Sequence, residues 1–155
     1  MRKILLAGMA IAMMATPAFA QTYKFVIVPK AMNNPFFDVA RDGCLKRAKE
    51  LGNVECIYKG PVEHEPATQA QIIQDFVTQK VDGLAISVAD VAAMTKSIEA
   101  ATGAGIPVIT FDADAPGSKR VAYIGTNNKD FGLALGKQLL QHRRRQLAAT
   151  AAAVG

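Results

Sequence analysis

Four short apolar runs punctuate the chain, at residues 25–28, 54–58, 83–87 and 106–111, rich in Val and Ile and without polar alternation. Runs of this kind suit parallel strands covered on both faces, not strands with one wet side. Helical stretches lie between them. The first spans 35–51 and is closed by Gly52. The second spans 66–79, with Ile72, Ile73, Phe76 and Val77 on one stripe. The third opens at Asp90, a residue type suited to an N-cap, and ends near Gly103 and Gly105. A fifth strand, 121–124, precedes a helix over 129–140. Strands alternating with helices of this length build right-handed βαβ units, so the pattern predicts an α/β fold with a doubly wound parallel sheet.

Both ends depart from this rhythm. Arg2 and Lys3 precede an apolar stretch, 4–15, and then Ala18-Phe19-Ala20, the basic, apolar and small-residue parts of an export signal. The expectation is cleavage after Ala20 and a soluble product in a bacterial periplasm. Residue 21 is Gln, not the Cys that lipid anchoring needs. At the other end, His142, Arg143, Arg144 and Arg145 lead into an Ala-rich run ending at Gly155, with no strand, turn chemistry or apolar period. The reading is therefore a signal peptide at 1–20, one folded unit at 21–141 and an aberrant or disordered tail at 142–155, as if a frameshift or truncation fell near Gln141.

Charge and cysteines narrow the picture. The formal charge is +5; without Arg2 and Lys3 it is +3, and without the three tail arginines as well it is zero. A balanced body of this kind does not point to nucleic acid. The two cysteines, Cys44 and Cys56, fall in the exported part, where an oxidising compartment permits a disulfide; two small buried thiols are the other reading. With no third ligand nearby, no metal is expected.

In a doubly wound sheet, ligands meet the loops at the carboxyl ends of the strands. Strand one supplies Lys30, Asn34, Phe36 and Phe37; strand three Ser87 and Asp90; strand four Asp112 and Asp114; strand five Thr126, Asn127 and Asn128. Carboxylates accept from neighbouring hydroxyls, Asn both donates and accepts, and aromatic rings cover the C–H faces of a ring-shaped polyol. The set suits a neutral sugar better than a phosphate or a hydrophobe. Plainer roles compete: Asn34 as a helix cap, one of Phe36 and Phe37 as core, Asp112 as a turn cap, Asp114 in the turn before Pro116-Gly117. Catalytic signals are poor. His64 and His142 have no nucleophile motif beside them. Gly132-Leu133-Ala134-Leu135-Gly136-Lys137-Gln138 has the wrong spacing for a phosphate loop, and Asp112-Ala113-Asp114 lacks the Gly and Glu of a calcium loop. Neither an enzyme nor a cofactor is expected.

Four segments together resemble one family. Asn33-Asn34-Pro35-Phe36-Phe37, residues 83–90, Gly105-Ile106-Pro107-Val108-Ile109-Thr110-Phe111-Asp112 and Tyr123-Ile124-Gly125-Thr126-Asn127-Asn128 fall in register with the amino-terminal half of the ribose-binding-like periplasmic proteins of ABC importers, over residues 23–140. The resemblance implies one incomplete lobe of a two-lobed clamshell. Such a clamshell closes on a sugar and presents it to membrane permease subunits or a chemoreceptor. It implies sugar contacts at Asn34, Phe36, Phe37, Ser87 and Asp112, with Thr126 and Asn128 near the first hinge crossing. Ribose binders of the group usually follow the strand-four Asp with Arg; here Ala113 stands there, so the sugar is left open. Family members run to about twice this length, and a half-cleft should bind weakly or not at all alone. Two other classes were weighed: the effector domain of a sugar-responsive regulator, which should begin with a helix-turn-helix, and a flavodoxin-like enzyme, which needs a Gly-containing phosphate loop absent from residues 30–37. A fragment without activity is the remaining alternative.

Overall fold

The computed structural model describes residues 21–154, and the side chains of 21–150; the expected signal, residues 1–20, lies outside the described residues. Five strands and four helices alternate: β1 (Tyr23–Val28), α1 (Phe36–Leu51), β2 (Val54–Tyr58), α2 (Pro66–Thr78), β3 (Gly83–Ile86), α3 (Val91–Gly103), β4 (Val108–Phe111), β5 (Ala122–Ile124) and α4 (Asn128–Val154). The strands form one sheet in the order β2-β1-β3-β4-β5, every pair parallel. The α/β, doubly wound expectation is met. The order reverses between β1 and β3, which opens a crevice at the strands' carboxyl ends.

Local signals explain the helix limits. Gly52 closes α1 at φ 74°, a left-handed conformation that costs Gly nothing. Asp90 caps α3 by accepting from the Ala93 N–H at 2.8 Å. The core lies on one face of the sheet, where Val26, Val28, Leu84, Ile86 and Val108 meet Ile73 and Phe76 of α2 and Met94, Ile98 and Ala101 of α3. On the opposite face α1 lies against β2, with Phe37 and Ala48 buried. Cys44 of α1 is bridged to Cys56 of β2, Cα to Cα 6.0 Å. Beyond α1 that face stays open: an apolar hollow of about 400 Å³ runs over Phe25, Ile27, Ala85, Pro107 and Ile109.

The carboxyl end differs from expectation. The last helix does not stop near Leu140 before a disordered tail; α4 runs on to Val154. The physical reason is composition: from Lys137 to Val154 there is no Gly or Pro, and Ala, Leu, Arg and Gln are strong helix formers. Its large apolar side chains Phe131, Leu133, Leu135, Leu139, Leu140 and Leu147 are all at least half exposed. Among the described residues, no helix is long and apolar enough to cross a membrane.

The bridge closes a short loop, with a sequence separation of 12. Reduction, or the double substitution Cys44→Ala/Cys56→Ala, is expected to lower the unfolding free energy by about 2–3 kcal/mol, as closure of a loop of this size implies. Urea denaturation with and without reductant measures it; coincident curves would show that the bridge contributes no stability.

Candidate functional site

The loops after β1, β3, β4 and β5 meet at one edge of the sheet, and a buried amide ties two of them together. Gln69, fully buried in the first turns of α2, donates from Nε2 to the carbonyls of Ser87 (2.7 Å) and Pro29 (3.2 Å). Its Oε1 accepts from the Ala89 N–H at 3.1 Å. The β1 loop is held from its other side as well, by Met32 N–H to Pro61 O (2.8 Å) and Asn33 N–H to Val62 O (3.0 Å). Few of these bonds depend on side-chain identity, so only Gln69 could have been singled out from sequence, and a Gln in a helix carries no such signal.

Asp112 stands at the centre. Its Oδ2 accepts from Ser87 Oγ and pairs with Lys30 Nζ, both at 2.9 Å. Oδ1 has no partner among the described residues. Asp112 sits at φ 61°, and the Ala113 N–H donates to Phe111 O at 2.7 Å across it. A bond spanning two residues around a positive φ is a strained γ-turn, tolerated better by Asp than by most residues. The turn aims the carboxylate away from β4 toward a cavity of about 550 Å³, whose wall includes Phe36, Phe111, Asp112, Gly125, Thr126 and Asn128.

Of the seven residues expected to bind ligand, Phe36, Asp112, Thr126 and Asn128 line this one cavity. Phe36 is 60% exposed, whereas Phe37 is 1% exposed. Phe37 packs edge-on against Phe36 and Phe111, with Lys30 Nζ 6.0 Å from its ring centroid. Of the aromatic pair, then, Phe37 is the core member and supports the ring that faces out. Ser87 is also fully buried; it reaches the cavity through Asp112. Asn34 is exposed and not in the cavity wall; its Oδ1 accepts from the Phe36 N–H at 3.0 Å, so the capping role is real even though Pro35 intervenes. Asn127 plays the same part for α4, accepting from the Asp130 N–H at 3.2 Å.

Lys30 is the partner that the family resemblance did not carry. An ammonium has three donor protons, and one contact to Asp112 leaves others available. The pair offers a net-neutral couple of donor and acceptor beside an exposed ring. Asp114, by contrast, is structural: Arg120 grips both its oxygens, Nε to Oδ1 at 2.5 Å and the other nitrogen to Oδ2 at 2.7 Å, while Thr110 Oγ1 and the Ala115 N–H add 2.6 and 2.8 Å bonds. Among the described residues no group of three or more His, Cys, Asp or Glu could hold a metal ion.

Residues 25–152 match the family described as a periplasmic binding protein domain. The ribose import binding protein RbsB of Escherichia coli (strain K12) is 30% identical over 130 residues, 83% of this chain and 43% of that protein. RbsB of Bacillus subtilis (strain 168) is 31% identical over 97 residues, 63% of this chain and 31% of that protein. Among solved structures, GanP, a glucose-galactose binding protein from Geobacillus stearothermophilus, superposes with a TM-score of 0.75 at 35% identity, covering 80% of this chain and 44% of that one. A solute binding protein of an ABC transporter from Burkholderia graminis, in complex with D-arabinose, gives 0.74 at 34% identity, covering 80% and 42%. The chain spans less than half the length of these relatives.

The Asp114 clamp makes a testable acid dependence. Hydrogen bonding from Arg120, helped by Thr110 and Ala115 and opposed by burial, holds the Asp114 carboxyl below its ordinary value. A depressed folded-state pKa contributes stability that is present above about pH 4 and lost as pH falls through the folded value. Arg120→Gln should therefore lower the melting temperature at pH 7, and the gap to the parent chain should narrow below about pH 4. A gap independent of pH would show that the clamp acts by packing alone.

Proposed function

The chain belongs to the periplasmic binding proteins of the ribose-binding-like type, and on that footing we propose that it is one lobe of an exported protein that binds a monosaccharide or related polyol. The observation carrying this reading is Asp112 in the wall of an open cavity that the exposed Phe36 ring also lines, its carboxylate paired with Lys30. A sugar hydroxyl both donates and accepts; Asp112 Oδ1 takes its proton while Lys30 donates to its oxygen. Phe36 covers the apolar face of the ring. A phosphate would meet the Asp112 charge, and a hydrophobe would strand both ions without partners.

The protein binds its ligand and does not transform it. A second lobe of the kind that the greater length of its relatives allows would supply the opposing contacts, so affinity comes from closure around the ligand. The closed form then serves the membrane subunits of an ABC importer or a chemoreceptor, from the periplasm. Ala113, following Asp112, removes the charged group that ribose binders place there and leaves the sugar undetermined among pentoses, hexoses and polyols.

Titration of the purified chain, without its leader, against D-ribose, D-arabinose, D-xylose, D-glucose and D-galactose tests this by amide NMR. Weak binding is expected, with shifts clustered at Phe36, Asp112 and Thr126. Asp112→Ala should weaken it by roughly 10- to 100-fold, the range for hydrogen bonds to a charged group. A response scattered over the surface, or none with any sugar, would sink the reading; micromolar affinity would show that one lobe suffices.

A further inference from the structure

Tyr123 has no place in the sugar-facing set, yet its hydroxyl lies between two parts of the cavity wall. It stands 2.9 Å from the Asp112 carbonyl and 3.1 Å from the Thr126 carbonyl. We propose that Tyr123 is a positioning residue whose single proton joins the ligand-side turn at Asp112 to the segment Thr126–Asn128, through which the chain passes from β5 into α4. The proposal rests on the sugar reading for what occupies Asp112, and on geometry alone for the joint itself.

A phenol has one O–H, and a carbonyl oxygen can only accept. The two carbonyls therefore compete for one proton, which gives the joint two discrete arrangements: donation to Asp112 or donation to Thr126. The Asp112 carbonyl belongs to a turn already held at positive φ, with the Asp112 N–H donating to Ile124 O at 3.1 Å. Where a ligand on the carboxylate shifts the Asp112 backbone, the peptide unit carrying this carbonyl and the Ala113 N–H rotates, because the planar peptide moves as one body. The change in the Asp112 turn then biases the proton toward Thr126 or back, and the chain leaving the sheet feels it.

Gly125 is the independent mark of this arrangement. A Cβ built there would press on the Tyr123 hydroxyl oxygen, nearer than van der Waals contact permits. The backbone approaches the phenol so closely that only Gly leaves the hydroxyl in place, though its own backbone requires no positive φ. The half-buried ring and exposed Gly125 have no other evident packing purpose in the wall.

The experiment compares the chain with Tyr123→Phe, which keeps the ring and deletes the proton, and Gly125→Ala, which pushes the hydroxyl aside. Backbone 15N relaxation and sugar titration are read on each. In Tyr123→Phe, residues 125–128 should become more mobile while the melting temperature changes little. Sugar-induced shifts at Asn127 and Lys129, which are not part of the cavity wall, should vanish although those at Phe36 and Thr126 persist, and affinity should fall roughly two- to tenfold, the scale of one neutral hydrogen bond. Gly125→Ala should reproduce this pattern, and the double variant should add little to either. Retained shifts and unchanged relaxation in Tyr123→Phe would overturn the joint. If the parent chain responds to no sugar, the sugar reading fails, and relaxation alone decides: raised mobility at 125–128 supports the joint, and unchanged mobility rejects it. Should Gly125→Ala fail to fold, Tyr123→Phe carries the decision.

Discussion

Five parallel strands ending on one edge place every candidate group within reach of the others, and the buried amide of Gln69 keeps two of those ends at a fixed separation. A parallel ladder fixes strand direction but leaves the connecting loops free, and loops are where backbone polar groups go unpaired. Gln69 satisfies carbonyls at the ends of β1 and β3 at once, and an amide on the neighbouring loop besides. Being fully buried, it cannot exchange these partners for water, so loosening either loop leaves a desolvated amide. The position of Ser87 follows from that tie, and the orientation of the Asp112 carboxylate follows from Ser87. Rigidity is thus passed inward from α2 to the carboxylate in the cavity wall.

The same sheet is well covered on one side and poorly on the other. α2 and α3 seal the face that carries Val26, Ile86 and Val108, while α1 covers only the β2 side of the opposite face. Parallel sheets are normally covered on both faces, because their strands are apolar throughout. The open hollow over Phe25, Ala85 and Ile109, and the exposed leucines of α4, are the two places where that rule is unmet. Both lie away from the strand ends that hold the Lys30–Asp112 pair. The geometry of that pair is therefore supported by the sealed face and by Gln69, not by the incomplete one.

Much of this was legible in the chain because it depends on short-range pattern. Uniformly apolar runs announced the parallel strands, and Gly52 and Asp90 marked helix ends through local conformational needs. The polar residues behind the strands pointed to the right edge, since strand ends alone locate a doubly wound site. Which of Phe36 and Phe37 faces out depended on the helical phase of α1, and two adjacent rings at a helix start do not declare it. Ser87 read as a ligand contact because its loop was right; its burial behind Asp112 is a tertiary fact. Lys30 acts across 82 residues, Gln69 across 40 and 20, and Tyr123 across 11, through pairs that no spacing rule links. The helical course of residues 142–154 has a different source: no apolar stripe announces it, and propensity alone carries an Ala- and Arg-rich segment.

On the proposed reading, the strain at Asp112 favours neutral ligands. A left-handed turn costs free energy that the neighbouring bonds from Ser87, Lys30 and Tyr123 offset. The bonds from Ser87 and Lys30 occupy one carboxylate oxygen and leave the other without a partner among the described residues, so a ligand would meet a free acceptor with a donor already beside it. Preorganisation of this kind spares the ligand the reorientation of two long or strained groups. It also sets a condition: a ligand that brings its own charge upsets the balance of the Lys30–Asp112 pair, whereas a hydroxyl inserts between the two without altering it. If a sugar is the ligand, as proposed, discrimination among sugars rests on other contacts and on the space beside Ala113, because the pair itself would recognise one hydroxyl and not the stereochemistry of the rest.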